Sequence, residues 1–202
     1  MDLIEKSVLE YIDLVDSRFP TPGGGSVASL AGALGVSLAK MLGHFSYDKK
    51  KFKEASEKKK NQFLIAFEKM DYYKDILVKG IDDDAISYNS VAEAMKRKDE
   101  ENLQKALLTS TYVAFSIQEN AYYALKCCKN LIELGNKFLY SDLISAAILL
   151  NSCVEMASLN VIANAKMLSE TTIKEDYLLK TSELIQKSKR IKNLIIREIR
   201  TK

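Results

Sequence analysis

Apolar residues recur along most of the chain at the three- and four-residue spacing of helices, and no stretch alternates in the manner of a β-strand. The pattern predicts an all-α fold, an elongated bundle of about six helices in a single domain over residues 1–202. The predicted helices cover about residues 3–19, 26–46, 50–98 and 100–134, then one that begins after Ser141 and one over 172–200. Since a helix of thirty residues spans roughly 45 Å, such a bundle exposes long faces to partners.

Several residues predict where these helices begin and end. Asp2 and Ser141 have side chains that cap a helix N-terminus, and Gly135-Asn136 is a good C-terminal stop. Gly80 predicts a kink or short break in the third helix. Apolar positions of the first helix include Leu3, Val8, Ile12 and Val15, and the fifth helix carries a core stripe of Leu143, Ala146, Ala147, Leu150, Val154, Ala157 and Val161.

Small residues recur every four positions in the second helix, as Ala31, Gly35 and Ala39 on one line and Ala28 and Gly32 on another. Glycine in a helix interior is unfavourable by roughly 1 kcal/mol relative to alanine. Lines of small side chains let two helix backbones approach closely, and this compensates for the cost. The close packing is expected either within the subunit or across a dimer.

Composition, charge and hydropathy argue against several classes of protein. The chain is 47% hydrophobic with a formal charge of +3, too small a charge to indicate nucleic-acid binding. The three cysteines include the adjacent pair Cys127 and Cys128, which indicates reduced thiols in a cytoplasmic protein and no disulfide framework. The N-terminus lacks the basic-then-apolar order of a signal peptide. Residues 27–45 resemble a membrane span in hydropathy, but Lys40, His44 and the many small residues favour a buried soluble helix.

A glycine-rich segment, Pro22-Gly23-Gly24-Gly25-Ser26, leads directly into the second helix. Backbone N–H groups at such a helix start can bind a carboxylate, a phosphate or an oxyanion. No lysine follows Ser26 as in a nucleotide-binding loop, and no strand precedes the segment. The alternative is a tight turn between two helices, although three consecutive glycines are more than a turn needs.

Three consecutive carboxylates, Asp82, Asp83 and Asp84, follow Gly80 within a helical pattern. At about 100° per residue they point in different directions. Asp84 shares its face with the apolar line Tyr88, Val91 and Met95, so it is the carboxylate expected to be partly buried. Burial raises the pKa of a carboxyl group, as a general acid/base requires. The alternative is an acidic helix start that favours the positive end of the helix dipole.

Other polar residues allow both structural and functional interpretations. Asn160 and Asn164 share a helix face, where they either satisfy each other and the backbone or bind the amide-like edge of a heterocycle. Lysine runs that include Lys50 and Lys51 are either a solvated face or a surface that steers a polyanion. The single His44 has no cysteine or acid cluster at ligand spacing, so no metal site is predicted.

The glycine motif followed by a helix rich in alanine and glycine resembles the start of the formiminotetrahydrofolate cyclodeaminase and methenyltetrahydrofolate cyclohydrolase family. The resemblance covers essentially the whole chain and includes Asp84, Gly135-Asn136, Ser141-Asp142-Leu143 and residues 160–164 in the family's order. Two positions depart from it: Tyr112-Val113-Ala114 stands where relatives often have Ser-Val-Pro, and Asp48 stands where many have glycine.

The resemblance implies a tight all-helical homodimer that acts on the one-carbon unit between N5 and N10 of tetrahydrofolate, with no metal and no tightly bound cofactor. Asp84 is the implied catalytic acid. The implied substrate-binding residues are Pro22, Gly23, Gly24, Gly25, Ser26, Tyr88, Asp142, Asn160 and Asn164, with Lys50 and Lys51 for a polyglutamate tail. The activity is expected to be cyclodeamination or cyclohydrolysis, and the alternative is a non-catalytic helical dimer that binds folate or a protein partner.

Overall fold

The computed structural model describes residues 2–201, and these form seven α-helices and two short 3-10 turns without a strand. The helices are α1 Val8–Val15, α2 Gly24–His44, α3 Lys50–Lys53, α4 Glu57–Arg97, α5 Glu100–Leu131, α6 Tyr140–Lys166 and α7 Thr171–Arg200. The 3-10 turns cover Leu3–Glu5 and Lys137–Leu139. The prediction of an all-α fold is confirmed.

The four helices α2, α4, α5 and α6 form a bundle in which α4 packs on α5, α5 on α6, α6 on α2 and α2 on α4. Helix α7 lies outside this bundle, against α6 and α5. The interior is apolar, with Leu77, Ile117 and Leu150 almost fully buried between the helices. All seven residues of the stripe predicted for the fifth helix, now α6, are buried as well.

The small residues of α2 are explained by its contact with α6 in the same chain. A Cβ atom added to Gly32 would lie 2.8 Å from Cys153 Sγ, and one added to Gly35 would lie 3.0 Å from Leu150 Cγ and 3.2 Å from the Ala146 carbonyl oxygen. Larger side chains would push the two helices apart at these positions. At these two glycines, the close approach expected from the sequence therefore occurs within the subunit.

The first helix differs from the prediction. It begins at Val8, and the residue before it, Ser7, is the N-cap and forms a capping box with Glu10, whereas Asp2 precedes the 3-10 turn. This turn changes the helical phase between Leu3 and the rest of the segment. Leu3 is buried, but the three other apolar positions of the segment (Val8, Ile12 and Val15) are exposed. Tyr11 is the residue of α1 that faces the protein interior.

The break predicted at Gly80 is wrong, because α4 runs without interruption through this position. A Cβ on residue 80 would lie 2.5 Å from Ser29 Oγ and 2.9 Å from Ile117 Cγ1, so glycine lets α4 approach α2 and α5. The long third helix breaks instead at residues 54–56, between α3 and α4.

Other boundaries shift by a few residues. Helix α2 begins at Gly24 instead of Ser26, and α5 ends at Leu131. Helix α6 follows a 3-10 turn and begins at Tyr140, so Ser141 is not its N-cap, although Asp142 lies in its first turn as predicted.

Two segments, Gly24–His44 and Lys137–Lys166, are long and apolar enough to cross a membrane by length and composition alone. The most apolar window of the first is 61% buried inside the bundle, and that of the second is 50% buried. These are the segments of α2 and α6, which pack against each other in the bundle. Packing against neighbouring helices gives both segments a reason to be apolar.

Candidate active site

Asp84 lies in the middle of α4 and meets the first turn of α2 and the second half of α6. Its Oδ2 accepts a hydrogen bond of 2.9 Å from the Ser26 backbone N–H, and its Oδ1 lies 3.5 Å from Asn160 Nδ2, a long contact. Three residues predicted separately from the sequence therefore meet at one place. The other two carboxylates point elsewhere: Asp82 accepts from the Leu3 N–H at 2.6 Å, and Asp83 accepts from Lys79 Nζ at 2.6 Å.

Gly25 packs directly against the carboxyl group of Asp84 and the carboxamide group of Asn160. A Cβ built on this residue would lie 2.0 Å from Asp84 Oδ1 and 2.4 Å from Asn160 Nδ2, which no side-chain carbon can occupy. Gly24 has nothing within 4 Å of such a Cβ, and Gly23 has only the Pro20 carbonyl oxygen at 3.5 Å. The three glycines are thus not equivalent, and Gly25 is the one that the site requires.

Burial and hydrogen bonding shift the pKa of the Asp84 carboxyl group in opposite directions. Burial raises its pKa above the ordinary value, while the hydrogen bonds from the Ser26 N–H and the Asn160 amide lower it, and the burial is the larger effect. These two hydrogen-bonding partners are uncharged, so neither holds the carboxylate ionised as a cation would. The raised pKa brings the group closer to the range in which a carboxyl both takes up and releases a proton.

Tyr11 is a site residue that sequence reasoning missed. Its hydroxyl lies 2.8 Å from Ser26 Oγ in a buried hydrogen bond, so α1 is connected to the residue whose N–H binds Asp84. Burial raises the pKa of Tyr11, and the negative charges of Asp84 and Asp82 contribute in the same direction. The pattern of apolar residues pointed to Ile12 in place of Tyr11, because the 3-10 turn before α1 is not visible in the sequence.

A second polar group lies one helical turn further along the bundle. Asn164 Nδ2 donates to Ser110 Oγ at 2.9 Å, and the Ser110 hydroxyl lies 3.3 Å from that of Ser87. Ser87 in turn donates to the Asp84 carbonyl oxygen at 3.0 Å. Asn164 therefore contacts a serine of α5 instead of its neighbour Asn160.

Other residues assigned to the site from the sequence are distributed along the molecule. Pro22 is buried before α2, and Tyr88 is exposed one turn beyond Asp84 on α4. Asp142 lies in the first turn of α6, eighteen residues before Asn160 and thus about 27 Å away along the helix.

Lys50 and Lys51 belong to α3, which follows the opposite end of α2 from Gly25. The 21 residues of α2 span about 30 Å between the two ends. Lys50 Nζ is 3.7 Å from Glu54 Oε1. In a single chain these two lysines lie apart from the Asp84 site, and their attraction for a polyglutamate tail stays a prediction.

The cysteines are buried in the core and have the properties of packing residues. Burial raises the pKa of Cys127 to about 11 and that of Cys153 to about 12, and it raises that of Cys128 still further. A thiol with so high a pKa is a poor nucleophile at neutral pH. Within residues 2–201 no group of three or more His, Cys, Asp or Glu side chains is arranged to hold a metal ion.

A groove of about 930 Å³ lies between α4, α5 and α7 and is separate from the Asp84 site. It is lined by aromatic and charged side chains, among them Tyr72, Asp83, Tyr112, Phe115 and Tyr177. Asp83 lines this groove, whereas Asp84 does not, because successive residues of α4 point in different directions. We assign the candidate active site to the half-buried carboxyl group of Asp84 and not to this larger groove.

The chain is similar to known proteins over most of its length. The sequence profile of the formiminotransferase-cyclodeaminase family matches residues 7–183, a range that contains Tyr11, Gly25, Ser26, Asp84 and Asn160. The crystal structure of formiminotetrahydrofolate cyclodeaminase from Thermotoga maritima superposes with a TM-score of 0.89 at 27% sequence identity. The match covers 98% of this chain and 97% of that one.

Two relatives have similar sequences. The methenyltetrahydrofolate cyclohydrolase of Methylorubrum extorquens is 27% identical over 98% of this chain and 97% of its own length. The formimidoyltransferase-cyclodeaminase of Gallus gallus is 29% identical over 96% of this chain, which spans only 37% of the chicken protein. Because the family profile matches most of its length, the chain belongs to the formiminotransferase-cyclodeaminase family.

Proposed function

We propose that the chain is a folate one-carbon enzyme in which Asp84 is the general acid/base. The observation that carries the proposal is a half-buried carboxyl with a raised pKa, held by the Ser26 N–H and the Asn160 amide against the bare backbone of Gly25. Two kinds of named relative, a cyclodeaminase and a methenyltetrahydrofolate cyclohydrolase, match the chain over nearly its whole length. Both reactions need a proton carrier beside the same carbon atom.

In the cyclodeaminase reaction, N10 of 5-formiminotetrahydrofolate attacks the formimino carbon. The imino nitrogen reacts in its protonated form, so that it becomes a neutral amino group on attack. Asp84 takes the proton from N10 and delivers it to this amino group, so that the bond between the carbon and this nitrogen breaks and ammonia and the 5,10-methenyltetrahydrofolate cation are released. In the cyclohydrolase reaction the same carboxylate removes a proton from the water that adds to the methenyl carbon. The carboxyl group then returns its proton to N5, the bond from that carbon to N5 breaks, and the added hydroxyl group loses its proton to solvent, which gives 10-formyltetrahydrofolate. A single acid/base of this kind contributes about 10²- to 10⁴-fold to the rate.

The backbone of Gly23 to Gly25 is suited to an anionic or carbonyl oxygen of the substrate, because first-turn N–H groups of α2 have no acceptor within the helix. Asn160 presents an amide beside the carboxyl and is suited to orient the folate ring. The proposal requires no metal and no tightly bound cofactor, since both reactions use proton transfer and an attacking atom that the substrate or water supplies.

We also propose that the chain works as a cytoplasmic homodimer. Apolar side chains are exposed along α2 and α6 on the described surface, among them Leu34, Ile148 and Leu159, the last 66% exposed. Such faces are typical of subunit contacts. Light scattering of the purified protein tests this, and a monomer at micromolar concentration would contradict it.

The decisive experiment assays the purified protein with 5-formiminotetrahydrofolate and, separately, with 5,10-methenyltetrahydrofolate. Formation or loss of the methenyl absorbance identifies which reaction is catalysed. Asp84→Asn is expected to keep the fold and lose about 10²- to 10⁴-fold in turnover. Asp83→Asn is the matched control, because this adjacent carboxylate pairs with Lys79 on another face of α4 and should leave turnover near that of the unchanged protein.

Full turnover by the Asp84→Asn variant would remove Asp84 from the mechanism. Folate binding without conversion of either substrate would instead favour the non-catalytic dimer.

A further inference from the structure

The set of helices that form the bundle changes at the level of Asp84. Helix α2 begins at Gly24, whose neighbour Gly25 touches Asp84, so α2 does not extend beyond this level. Helix α4 continues thirteen residues further to Arg97, about 20 Å. The apolar cluster at that end consists of Val91, Leu107, Ala165 and Leu168, and it has no member from α2.

Between Asp84 and this apolar cluster lie three polar side chains from three different helices: Ser87 of α4, Ser110 of α5 and Asn164 of α6. The two serines are only 5% and 7% exposed. Burying hydroxyl groups in a bundle costs free energy unless they are hydrogen-bonded, and apolar residues of the same shape are usually no less stable. Stability therefore gives no reason for this polar cluster inside an apolar bundle.

The cluster retains free hydrogen-bonding capacity towards a ligand. Asn164 donates to Ser110, and its carbonyl oxygen has no partner among residues 2–201. The amide oxygen of Asn160, four residues earlier on the same face of α6, has none there either. The two amides are spaced by one helical turn, about 6 Å along the axis, and Asn160 contacts the Asp84 carboxyl.

The proposed substrate has polar groups at a similar spacing. The pyrimidine ring of a pterin carries a 4-oxo acceptor, an N3–H donor and a 2-amino donor on one edge. The 4-oxo group is adjacent to N5, and the 2-amino group is at the end of the edge far from N5. If the one-carbon unit on N5 sits at Asp84, the edge reaches about one helical turn, roughly 5 Å, along α4 or α6. Serine hydroxyls and an asparagine amide can both donate to the 4-oxo group and accept from the two N–H groups.

We propose that Ser87, Ser110 and Asn164 form the subsite that binds the 2-amino-4-oxo edge of the pterin ring. The ring then points from Asp84 towards the C-terminal ends of α4 and α6, beyond the start of α2. This inference rests on the proposed function, and it adds the direction in which the substrate lies and the residues that distinguish a pterin from other heterocycles.

The test compares the affinities of two probes, 5-formyltetrahydrofolate and its analogue in which a methyl group replaces the 2-amino group. The unchanged protein is expected to bind the natural compound about tenfold more tightly, since one or two hydrogen bonds are lost in the analogue. In the Ser87→Ala/Ser110→Ala double variant and in Asn164→Ala this preference should fall towards one. Ser90→Ala is the matched control, because Ser90 is an exposed serine of α4 that bonds only to the Ile86 carbonyl oxygen.

Thermal unfolding establishes that each variant is folded, and the single variant Ser110→Ala serves if the double variant is not. A preference that survives in the folded variants overturns the assignment, and so does an unchanged protein that binds both probes equally. If the unchanged protein binds neither probe, the proposed function itself fails. Turnover gives an independent check: KM should rise with little change in kcat, because these residues bind the ring and transfer no proton.

Discussion

Gly25 and Asp84 touch where the first turn of α2 meets the middle of α4, so closely that a Cβ on residue 25 would lie 2.0 Å from the carboxylate oxygen. The Ser26 N–H, one residue further, donates to the same carboxyl group. The glycine motif and the acidic residue are thus parts of one site. The absence of a side chain at position 25 lets Asp84 reach the helix start.

The first prediction concerns this contact. Gly25→Ala should reduce turnover at least as far as the loss of a general acid/base, about 10²-fold or more, because the new methyl group displaces the carboxyl and the Asn160 amide. Gly25 has no positive φ, so alanine introduces no backbone strain and the effect is steric. The measurement is kcat on the better of the two folate substrates, with the unfolding temperature recorded alongside.

Gly24→Ala is the control for this substitution, since a Cβ there meets nothing within 4 Å. It should lose much less turnover than Gly25→Ala, because alanine keeps the backbone N–H and its Cβ does not reach Asp84, and it should be at least as stable, because alanine is the better helix former. Equal losses in both variants would show that the motif serves the backbone as a whole and not the Asp84 contact.

The second prediction follows from the raised pKa of Asp84. Because the folded protein binds this proton more readily than the unfolded chain does, the group's contribution to stability is most favourable below its ordinary value of 3.8 and is lost as pH rises through the folded-state pKa. Asp84→Asn should therefore raise the unfolding temperature at pH 7, and the difference should shrink as the pH falls through the folded-state pKa towards the ordinary value of 3.8.

Unfolding curves of the unchanged protein and of Asp84→Asn between pH 3 and pH 8 provide the measurement, with Asp83→Asn as the reference for a carboxylate on another face of α4. The prediction is contradicted if Asp84→Asn is less stable than the unchanged protein at pH 7 and equally stable at low pH. That result would mean that the hydrogen bonds to Asp84 outweigh its burial.

How far the sequence predicts this site depends on whether a feature lies within one helix or between helices. The angle between successive residues of one helix singled out Asp84 from the three aspartates. However, Tyr88 and Met95 of its predicted apolar face are exposed, and the carboxyl group is instead covered by the first turn of α2. The contact with Asn160 needs the register of α4 against α6, and the bond from Tyr11 needs the path of a short segment after a 3-10 turn. Neither register nor path is encoded in a local pattern of hydrophobic residues.

The third prediction concerns Tyr11. Tyr11→Phe leaves the fully buried Ser26 hydroxyl without the partner that Tyr11 provides, so the free energy of unfolding should fall by about 1–3 kcal/mol. Turnover should also fall modestly, because Ser26 carries the N–H that holds Asp84. Chemical denaturation and kcat are the two measurements.

Ser26→Ala combined with Tyr11→Phe removes both hydroxyls and should recover much of the lost stability, since no buried donor or acceptor is then left unpaired. If the two hydroxyls do not depend on each other, Ser26→Ala should lower the free energy of unfolding by the same amount in the Tyr11→Phe background as in the unchanged protein. That result would contradict the prediction.

The last prediction tests why a glycine occupies the interior of α4. In an exposed helix Gly80→Ala would stabilise by about 1 kcal/mol. Here the new methyl group meets Ser29 Oγ and Ile117, and Ser29 cannot turn away without breaking its buried 2.6 Å hydrogen bond to the Leu77 carbonyl oxygen. Overpacking of this kind typically costs about 1–3 kcal/mol, so Gly80→Ala should destabilise the protein. In a Ser29→Ala background the same substitution should cost less, because the nearest obstructing atom is gone, and a double-mutant cycle from denaturant unfolding measures the difference. A stabilising Gly80→Ala would mean that α4 tolerates a side chain where it crosses α2 and α5.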